Sequence, residues 1–302
     1  TAISGSPFAS LAAAVTAING LTITGPVIAN CATGTETSPA GGYNITATGT
    51  SANTITIQGN GASNTIITAS STHTVGNYTD AVIKITGGDY ITISGFKLQE
   101  SSNSTIAAAT NNMTEFGIAL FNSSATNGAK NNTIQNNTIS LGATYPNTIG
   151  IYSNCTSTAA SATTGTNSDN KVYGNIISNV QMGIYWLQPA VSSLILEQNN
   201  DIGGASSATG NTISFGSANA AFTWTSPTSF SSATQAGIYF RNTYPLNLRF
   251  NTINSPTVFT IANAGIIVNA NATSHSGITY TCTISDNNLT QYNSSTTSLT
   301  GI

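Results

Sequence analysis

Charged side chains are scarce in this sequence. Only 15 of its 302 residues are Lys, Arg, Asp or Glu, whereas charged residues make up roughly 25% of an average soluble domain. The six cations are scattered and the formal net charge is −3, so no basic stripe is available to follow a phosphate backbone. We therefore expect no nucleic-acid partner.

Cysteine and histidine are also rare, and long apolar runs are missing. The cysteines, Cys31, Cys155 and Cys282, are an odd number, which excludes a complete disulfide framework. The histidines, His73 and His275, stand alone in polar segments, where we expect them to be exposed. We expect no metal site and no cofactor. No run reaches the roughly 20 apolar residues that a membrane span needs, so we expect no membrane insertion.

What the sequence does contain is a repeated six-residue pattern: apolar, any, small, polar or aromatic, usually Asn, any, apolar. The copies begin at Ile57, Ile93, Ile134, Val172, Leu248 and Ile284. They are spaced by 36, 41, 38, 76 and 36 residues, and 76 is twice 38. A period of this size indicates a solenoid, in which each repeat buries its apolar face against the neighbouring turns.

The repeats consist of strands and turns. Short runs such as Thr54-Ile55-Thr56-Ile57 alternate apolar and hydroxyl side chains with the period of a β-strand. A second marker, Gly-Ile, falls between the six-residue copies at Gly117, Gly150, Gly183, Gly237 and Gly265. At least two strands per repeat, joined by Gly, Asn and Ser turns, predict an all-β protein: a right-handed parallel β-helix of about eight turns over residues 21–302.

Two segments depart from the repeat. Residues 1–20 predict a capping helix, with Ser6-Pro7 at its start and an apolar stripe of Phe8, Leu11, Val15 and Ile18. Around residues 203–235 the Gly-Ile interval stretches to 54 residues, which predicts an irregular loop insertion.

The fourth position of the pattern is Asn in five of the six copies: Asn60, Asn137, Asn175, Asn251 and Asn287. Equivalent residues of successive turns stack about 4.8 Å apart in a β-helix. We therefore predict a structural ladder of hydrogen-bonded Asn side chains along the axis, at corners where Asn tolerates the left-handed conformation.

Four aromatic residues lie near the predicted insertion: Tyr185, Trp186, Phe222 and Trp224. Exposed aromatic faces beside a loop stack on sugar rings, so these residues are candidates for carbohydrate binding. In the competing interpretation, Tyr185 and Trp186 alternate along a strand and only one of them is exposed.

The ionisable residues that fall at comparable turn positions are Asp169, Lys171, Glu197, Asp201, Arg241 and Arg249. Glycoside hydrolysis needs two facing carboxyl groups, and a lyase needs a base plus a group that neutralises the substrate carboxylate. Surface ion pairs explain these six residues at least as well. We predict no catalytic residue and no enzyme, with a polysaccharide lyase or hydrolase as the alternative.

The first half of the chain resembles a known group. Residues 8–15, 25–30, 50–57, 88–96 (GDYITISGF), 113–118 and 124–134 are similar to β-helix regions of very large secreted Bacteroidota surface proteins. The resemblance spans about residues 8–140 and becomes generic for β-helices afterwards. It implies an adhesin-like module of a type IX-secreted cell-surface protein, and it carries no catalytic residues to transfer.

We therefore expect an extracellular structural or adhesive β-solenoid module, part of a cell-surface fibre or of a larger surface protein. A carbohydrate-binding adhesin is the alternative, with glycans as partners. The final pair, Gly301-Ile302, is the kind that opens a strand elsewhere. For that reason we expect this end to be covered, either by further turns of the same polypeptide or by head-to-tail stacking of another copy.

Overall fold

The protein is a parallel β-helix of eight turns, each contributing three strands. The computed structural model describes residues 7–73, 80–106, 112–145, 147–155, 159–188, 195–216, 235–244, 246–255, 263–269, 281–291 and 299–300. Successive turns stack so that each strand pairs in parallel with its counterpart in the neighbouring turn, as β4 does with β1 and β7. The prediction of a parallel β-helix of about eight turns is confirmed.

Three eight-stranded sheets form the walls. Sheet 1 contains β1 (Val27–Asn30), β4 (Ile55–Gln58), β7 (Ile91–Ser94), β10 (Thr133–Gln135), β13 (Lys171–Tyr173), β16 (Asn200–Ile202), β19 (Leu246–Arg249) and β22 (Cys282–Ser285). Sheet 2 contains β2 (Gly34–Thr37), β5 (Thr65–Thr68), β8 (Lys97–Gln99), β11 (Thr138–Ser140), β14 (Ile176–Val180), β17 (Thr212–Phe215), β20 (Thr252–Ser255) and β23 (Asn288–Gln291). Sheet 3 contains β3 (Tyr43–Ile45), β6 (Ala81–Thr86), β9 (Phe116–Asn122), β12 (Ile149–Cys155), β15 (Met182–Leu187), β18 (Gln235–Arg241), β21 (Asn263–Asn269) and β24 (Leu299–Thr300).

Alternation along each strand explains why the chain closes around one core. In β4 and β7 the isoleucines are buried and the Thr, Gln and Ser side chains face outward. Inward residues of all three sheets form a single apolar cluster along the axis. The six-residue pattern is therefore a sheet 1 strand, a corner and a sheet 2 strand, and the Gly-Ile pair marks sheet 3.

An Asn column occupies the corner between sheets 1 and 2. Asn175 Nδ2 donates to Asn211 Oδ1 (3.0 Å) and to the Ile134 carbonyl (2.9 Å). The same contacts recur along the column, which contains Asn137, Asn175, Asn211, Asn251 and Asn287. Asn211 was not among the predicted members. Each side-chain amide thus hydrogen-bonds both to the next Asn of the column and to the bent backbone, so that this buried polar group has partners.

Two points about this corner need correction. Asn60 lies outside the column: its turn has a six-residue corner, so Asn60 is exposed and donates to Thr33 Oγ1 (3.1 Å). The left-handed residue is the one that precedes the column Asn, as at Asn136 (φ 55°) and Phe250 (φ 59°). The column Asn is selected for its amide, not for backbone tolerance.

A second Asn column, which the repeat did not reveal, lies where the chain enters sheet 1. Asn132 N–H donates to Asn170 Oδ1 and Asn170 N–H donates to Asn200 Oδ1, both at 2.9 Å. Their side chains return hydrogen bonds to the carbonyls of Gly88, Ala129 and Asn167. Two buried amide columns therefore tie successive turns together at two corners.

The helix α1 spans Leu11–Asn19 and begins at Ser10, whose side chain accepts from Ala13 N–H. The predicted start at Ser6-Pro7 is wrong, because the apolar face that packs on the core begins only at Leu11. At its end, Asn19 Oδ1 accepts from the Thr46 and Ala47 amides and Nδ2 donates to the Asn44 carbonyl. The side chain of Asn19 thereby covers the free edge of β3. A short 3₁₀ helix spans Thr163–Gly165.

The predicted insertion at 203–235 is described only in part. β16 and β17 pair with β13 and β14, with a register shift between Ile177 and Val180, so this turn contributes a strand to both sheet 1 and sheet 2. What lengthens it within the described residues is a corner between Ile202 and Asn211 that replaces the usual two residues. Residues 217–234 lie outside the described residues.

Candidate functional site

Of the four residues of the predicted aromatic site, the two that the structure describes are buried. Tyr185 and Trp186 are both 0% exposed, so neither presents a ring face to a sugar and the interpretation that one of them is exposed is also wrong. Trp186 points into the core and stacks on Phe240 at 5.5 Å between ring centroids. Phe222 and Trp224 lie outside the described residues.

Tyr185 belongs to a buried cluster on the outer face of sheet 3. Tyr185 stacks on Tyr239 (4.9 Å) and Tyr152 (5.9 Å), and Tyr152 stacks on Phe116 (4.2 Å). These rings form a second apolar cluster outside the solenoid core. Burial raises the pKa of the Tyr185 hydroxyl far above its usual range. Offset rings at these distances stabilise packing of one turn on the next.

The six ionisable residues divide between different environments. Lys171, Asp201 and Arg249 lie on the outer face of sheet 1, where strand register brings Lys171 beside Asp201. Arg241 ends β18 in sheet 3, and Asp169 lies in a corner where Asn199 Nδ2 donates to it (2.9 Å). Glu197 is fully buried. Only three of the six therefore form one surface group.

A fourth residue, Tyr173, completes this group, which we call the charged ledge: Lys171, Tyr173, Asp201 and Arg249. Tyr173 Oη donates to Asp201 Oδ2 at 2.7 Å, and Arg249 Nη2 lies 3.5 Å from the same oxygen. Burial, and then the hydrogen bond to Asp201, raises the pKa of the Tyr173 hydroxyl well above its usual value. At neutral pH Tyr173 is therefore a donor and not a base.

A glycine makes this convergence possible. Strand register places Gly203 between Tyr173 and Arg249 in successive turns. Because Gly203 contributes no side chain, Tyr173 and Arg249 both reach the carboxylate of Asp201 from opposite sides. Gly203 also has φ +100°, and a Cβ there would lie 1.7 Å from the Arg249 carbonyl oxygen. Sequence inspection missed Tyr173 because its partners are 28 and 76 residues away.

The rest of this outer face is polar and uncharged. In the two rows that contain the ledge, the other turns from β4 onward contribute outward-facing side chains of Thr56, Gln58, Thr92, Ser94, Thr133, Gln135, Asn247, Thr283 and Ser285. Neighbouring members of a row are about 4.8 Å apart. The ledge is thus the charged section of a flat surface of regularly spaced hydrogen-bonding groups.

Glu197 has an unusual environment for a carboxyl group. Its Oε1 accepts from Asn167 N–H (3.3 Å) and its Oε2 accepts from Thr243 Oγ1 (3.4 Å). Burial raises the pKa of Glu197 to about 8, and these hydrogen bonds oppose that rise only in part. The carboxyl group bridges two turns inside the protein. The expectation that Glu197 takes part in an ion pair on the surface is therefore wrong.

His73 is also buried and not exposed as expected. Its side chain is 0% exposed, and its Nδ1 lies 3.7 Å from Asp80 Oδ1. His275 lies outside the described residues. Within the part of the chain that the structure describes, no group of three or more His, Cys, Asp or Glu side chains is arranged to hold a metal ion. The described helices include none with the length and apolar character of a membrane span.

Comparison with known proteins adds little. No protein-family model matches the sequence, and neither does any curated protein. Among solved structures, the A-module of the mannuronan C-5 epimerase AlgE6 from Azotobacter vinelandii is similar over 96% of this chain and 89% of that one, with a TM-score of 0.40 and 12% sequence identity. A likeness this weak carries no argument about function.

Proposed function

We propose that this chain is an extracellular adhesive β-solenoid module that binds carbohydrate on the outer face of sheet 1. The observation that carries the proposal is the charged ledge. It places two of the six cations of the whole sequence, a carboxylate and a tyrosine at adjacent positions of an otherwise uncharged polar face.

The ledge suits a hydroxyl-rich ligand. Lys171 is exposed, whereas Tyr173 and Arg249 are half-buried and held in place through Asp201. A held guanidinium and a free ammonium donate charge-assisted hydrogen bonds to sugar oxygens. The partly exposed ring of Tyr173 adds apolar contact area for a sugar face. Rows of Thr, Gln and Ser continue the donors and acceptors along the solenoid axis, in the direction a linear glycan would follow.

The structural side of the proposal rests on the two Asn columns and on the parallel strand pairing that continues through eight turns. These features suit a rigid unit of a cell-surface fibre or of a larger surface protein. The uncharged Asn, Ser and Thr surface and the resemblance to secreted surface proteins support an extracellular location.

A glycan array tests the proposal. Labelled wild-type chain is compared with Lys171→Ala, Tyr173→Ala and Arg249→Ala, each checked for an unchanged thermal midpoint. We expect at least about a tenfold loss of affinity in the ledge variants, as for truncated central contacts of an interface.

Two variants of sheet 2, outside the proposed binding face, serve as controls for the array. Lys97→Ala removes one cation from the outer face of sheet 2, and Gln99→Ala removes a polar group from the same face. Both should bind as the wild type does. A wild type that binds no glycan, or ledge variants that bind as well as Lys97→Ala, would contradict the proposal.

A further inference from the structure

The charged ledge carries more positive than negative charge. Lys171 and Arg249 are cationic and Asp201 is anionic, so one positive charge is left unbalanced, whereas the whole chain has a formal net charge of −3. Within the strands that the structure describes, the two outward rows of sheet 1 contain no other charged residue. The ledge is therefore the cationic section of a neutral face.

The carboxylate of Asp201 is not available to a ligand. Its Oδ2 accepts from Tyr173 Oη at 2.7 Å and lies 3.5 Å from Arg249 Nη2. Its Oδ1 is buried and has no hydrogen-bond partner among the described residues. A ligand on the ledge therefore meets donors and positive charge, and it does not meet an open acceptor of Asp201.

Lys171 is the cation without a partner. Its side chain is exposed, and the ion pairs found among the described residues do not include it. The acid nearest to it along the chain, Asp169, lies in the preceding corner, where it accepts from Asn199 Nδ2 at 2.9 Å. The ammonium group of Lys171 therefore has its donors available to a ligand.

Arg249 also retains donors. It approaches Asp201 through Nη2, and its side chain is still 29% exposed. A guanidinium has five N–H donors in a planar fork that matches carboxylate and other oxyanions. Strand register places Lys171 and Arg249 two turns apart, so their backbones are separated by about 9.6 Å along the solenoid axis. The two cations are thus spaced along the direction of the neutral rows.

We infer that the ledge selects an acidic polysaccharide, whose anionic groups pair with Lys171 and Arg249 while its hydroxyl groups hydrogen-bond to the neutral rows on either side. This inference rests on the proposed carbohydrate binding and names the class of glycan. Charge pairing of this kind discriminates between ligands, because a neutral sugar leaves the cations without a counter-charge.

The neutral rows argue against other polyanions. A nucleic acid would require cations in successive turns to follow its phosphates. The turns next to the ledge instead place Thr133 before Lys171 and Thr283 after Asn247 in the same row. Hydroxyl and amide side chains at regular spacing suit a ligand that carries many hydroxyl groups and few charges.

Two matched pairs of polymers test the inference, each titrated with the full chain. Polygalacturonate is compared with its fully methyl-esterified form, and dextran sulfate is compared with dextran. We expect the acidic member of at least one pair to bind at least about tenfold more tightly than its neutral partner. Its binding should weaken from low to physiological ionic strength. The pair that shows the preference identifies carboxylate or sulfate as the recognised group.

Three variants locate the source of the preference. Lys171→Gln keeps most of the side chain and removes its charge, so it should bind the acidic polymer about tenfold more weakly. Lys171→Arg should restore the preference. Lys97→Gln changes the net charge of the chain by the same amount on the outer face of sheet 2, and it should bind as the wild type does. Unchanged thermal midpoints confirm that each variant is folded.

The outcomes separate this inference from the proposed function. Equal binding of the acidic and neutral members of both pairs would overturn the inference and leave carbohydrate binding intact. Equal losses in Lys171→Gln and Lys97→Gln would also overturn it, because the preference would then come from the net charge of the chain. Polyglutamate binding as tightly as the acidic polysaccharide would show that the hydroxyl groups contribute nothing. Absence of binding to every polymer would overturn both proposals.

Discussion

The buried carboxyl of Glu197 makes the stability of this protein depend on pH. Its pKa is about 8 in the folded protein against an ordinary value of 4.5. Below pH 4.5 the group is protonated in both the folded and the unfolded chain. Between pH 4.5 and 8 only the unfolded chain loses the proton, so the free energy of unfolding falls as the pH rises through this window.

The size of the effect follows from the two pKa values. Each tenfold change in a protonation constant is worth about 1.4 kcal/mol. The rise from 4.5 to about 8 therefore corresponds to a loss of roughly 5 kcal/mol between pH 4.5 and 8, as an upper bound. Glu197→Gln keeps the shape but does not titrate, so it should remove this loss; its amide oxygen can accept from Asn167 N–H and its NH2 group can donate to Thr243 Oγ1.

Thermal unfolding of the wild type and of Glu197→Gln at pH 4.5, 6, 7 and 8.5 measures the effect. The two should unfold at similar temperatures at pH 4.5. At pH 8.5 the variant should unfold at a temperature higher by up to about 10–20 °C, given the upper bound of roughly 5 kcal/mol and roughly 2–4 °C per kcal/mol. Asp286→Asn, which removes an exposed carboxyl at a sheet corner, is the matched control and should follow the wild type. Parallel curves for Glu197→Gln and the wild type across this range would refute the reasoning.

Three further predictions concern the Asn column, the core and the chemistry of the ledge. Asn211→Ala should lower the free energy of unfolding by about 3 kcal/mol, because it removes buried side-chain hydrogen bonds to Asn175, Asn251 and Val172. Chemical denaturation with the exposed Asn60→Ala as control measures this, and equal effects of the two substitutions would contradict it. Trp186→Ala should cost about 3–5 kcal/mol through the cavity it opens beside Phe240, and a folded variant with wild-type stability would show that the ring is not packed as described. Size-exclusion chromatography of an acidic polysaccharide incubated with the protein should show no shortening, whereas cleavage that disappears in Arg249→Ala would establish an enzyme.

Much of the fold could be predicted because its rules are local. Alternation of isoleucine and threonine in β4 and β7 needs only the period of a strand. The two-residue corner with its buried Asn repeats in the same form, so its recurrence was visible as a sequence period. The assignment of Asn60 to the column was wrong because its corner has four more residues than the two-residue corners. At that corner Thr65 Oγ1 accepts a hydrogen bond from Asn60 N–H (2.8 Å).

The candidate site was predictable only in part. Lys171, Asp201 and Arg249 could be selected from the sequence because charged residues are rare in it. That Glu197 is buried and does not join them on the outer face of sheet 1 depends on the folded structure. Tyr173 enters the ledge through register with residues of the next two turns. Asn132, Asn170 and Asn200 form their column in the same way. Each follows a left-handed residue, Asn131, Asp169 or Asn199, in a four-residue pattern that recurs in only three turns and is therefore easy to miss in the sequence.

By itself the sequence determined the architecture: a repeating unit, strands of period two and corner residues that hydrogen-bond along the axis. These features depend on residues near one another in the chain, so they can be read from it. Only the tertiary structure decided which surfaces remain accessible. Tyr185 faces outward from its strand and is nevertheless buried, among aromatic and aliphatic side chains of neighbouring turns. The high pKa of Glu197 and the convergence of Tyr173 and Arg249 on Asp201 likewise depend on contacts between turns, which no local pattern encodes.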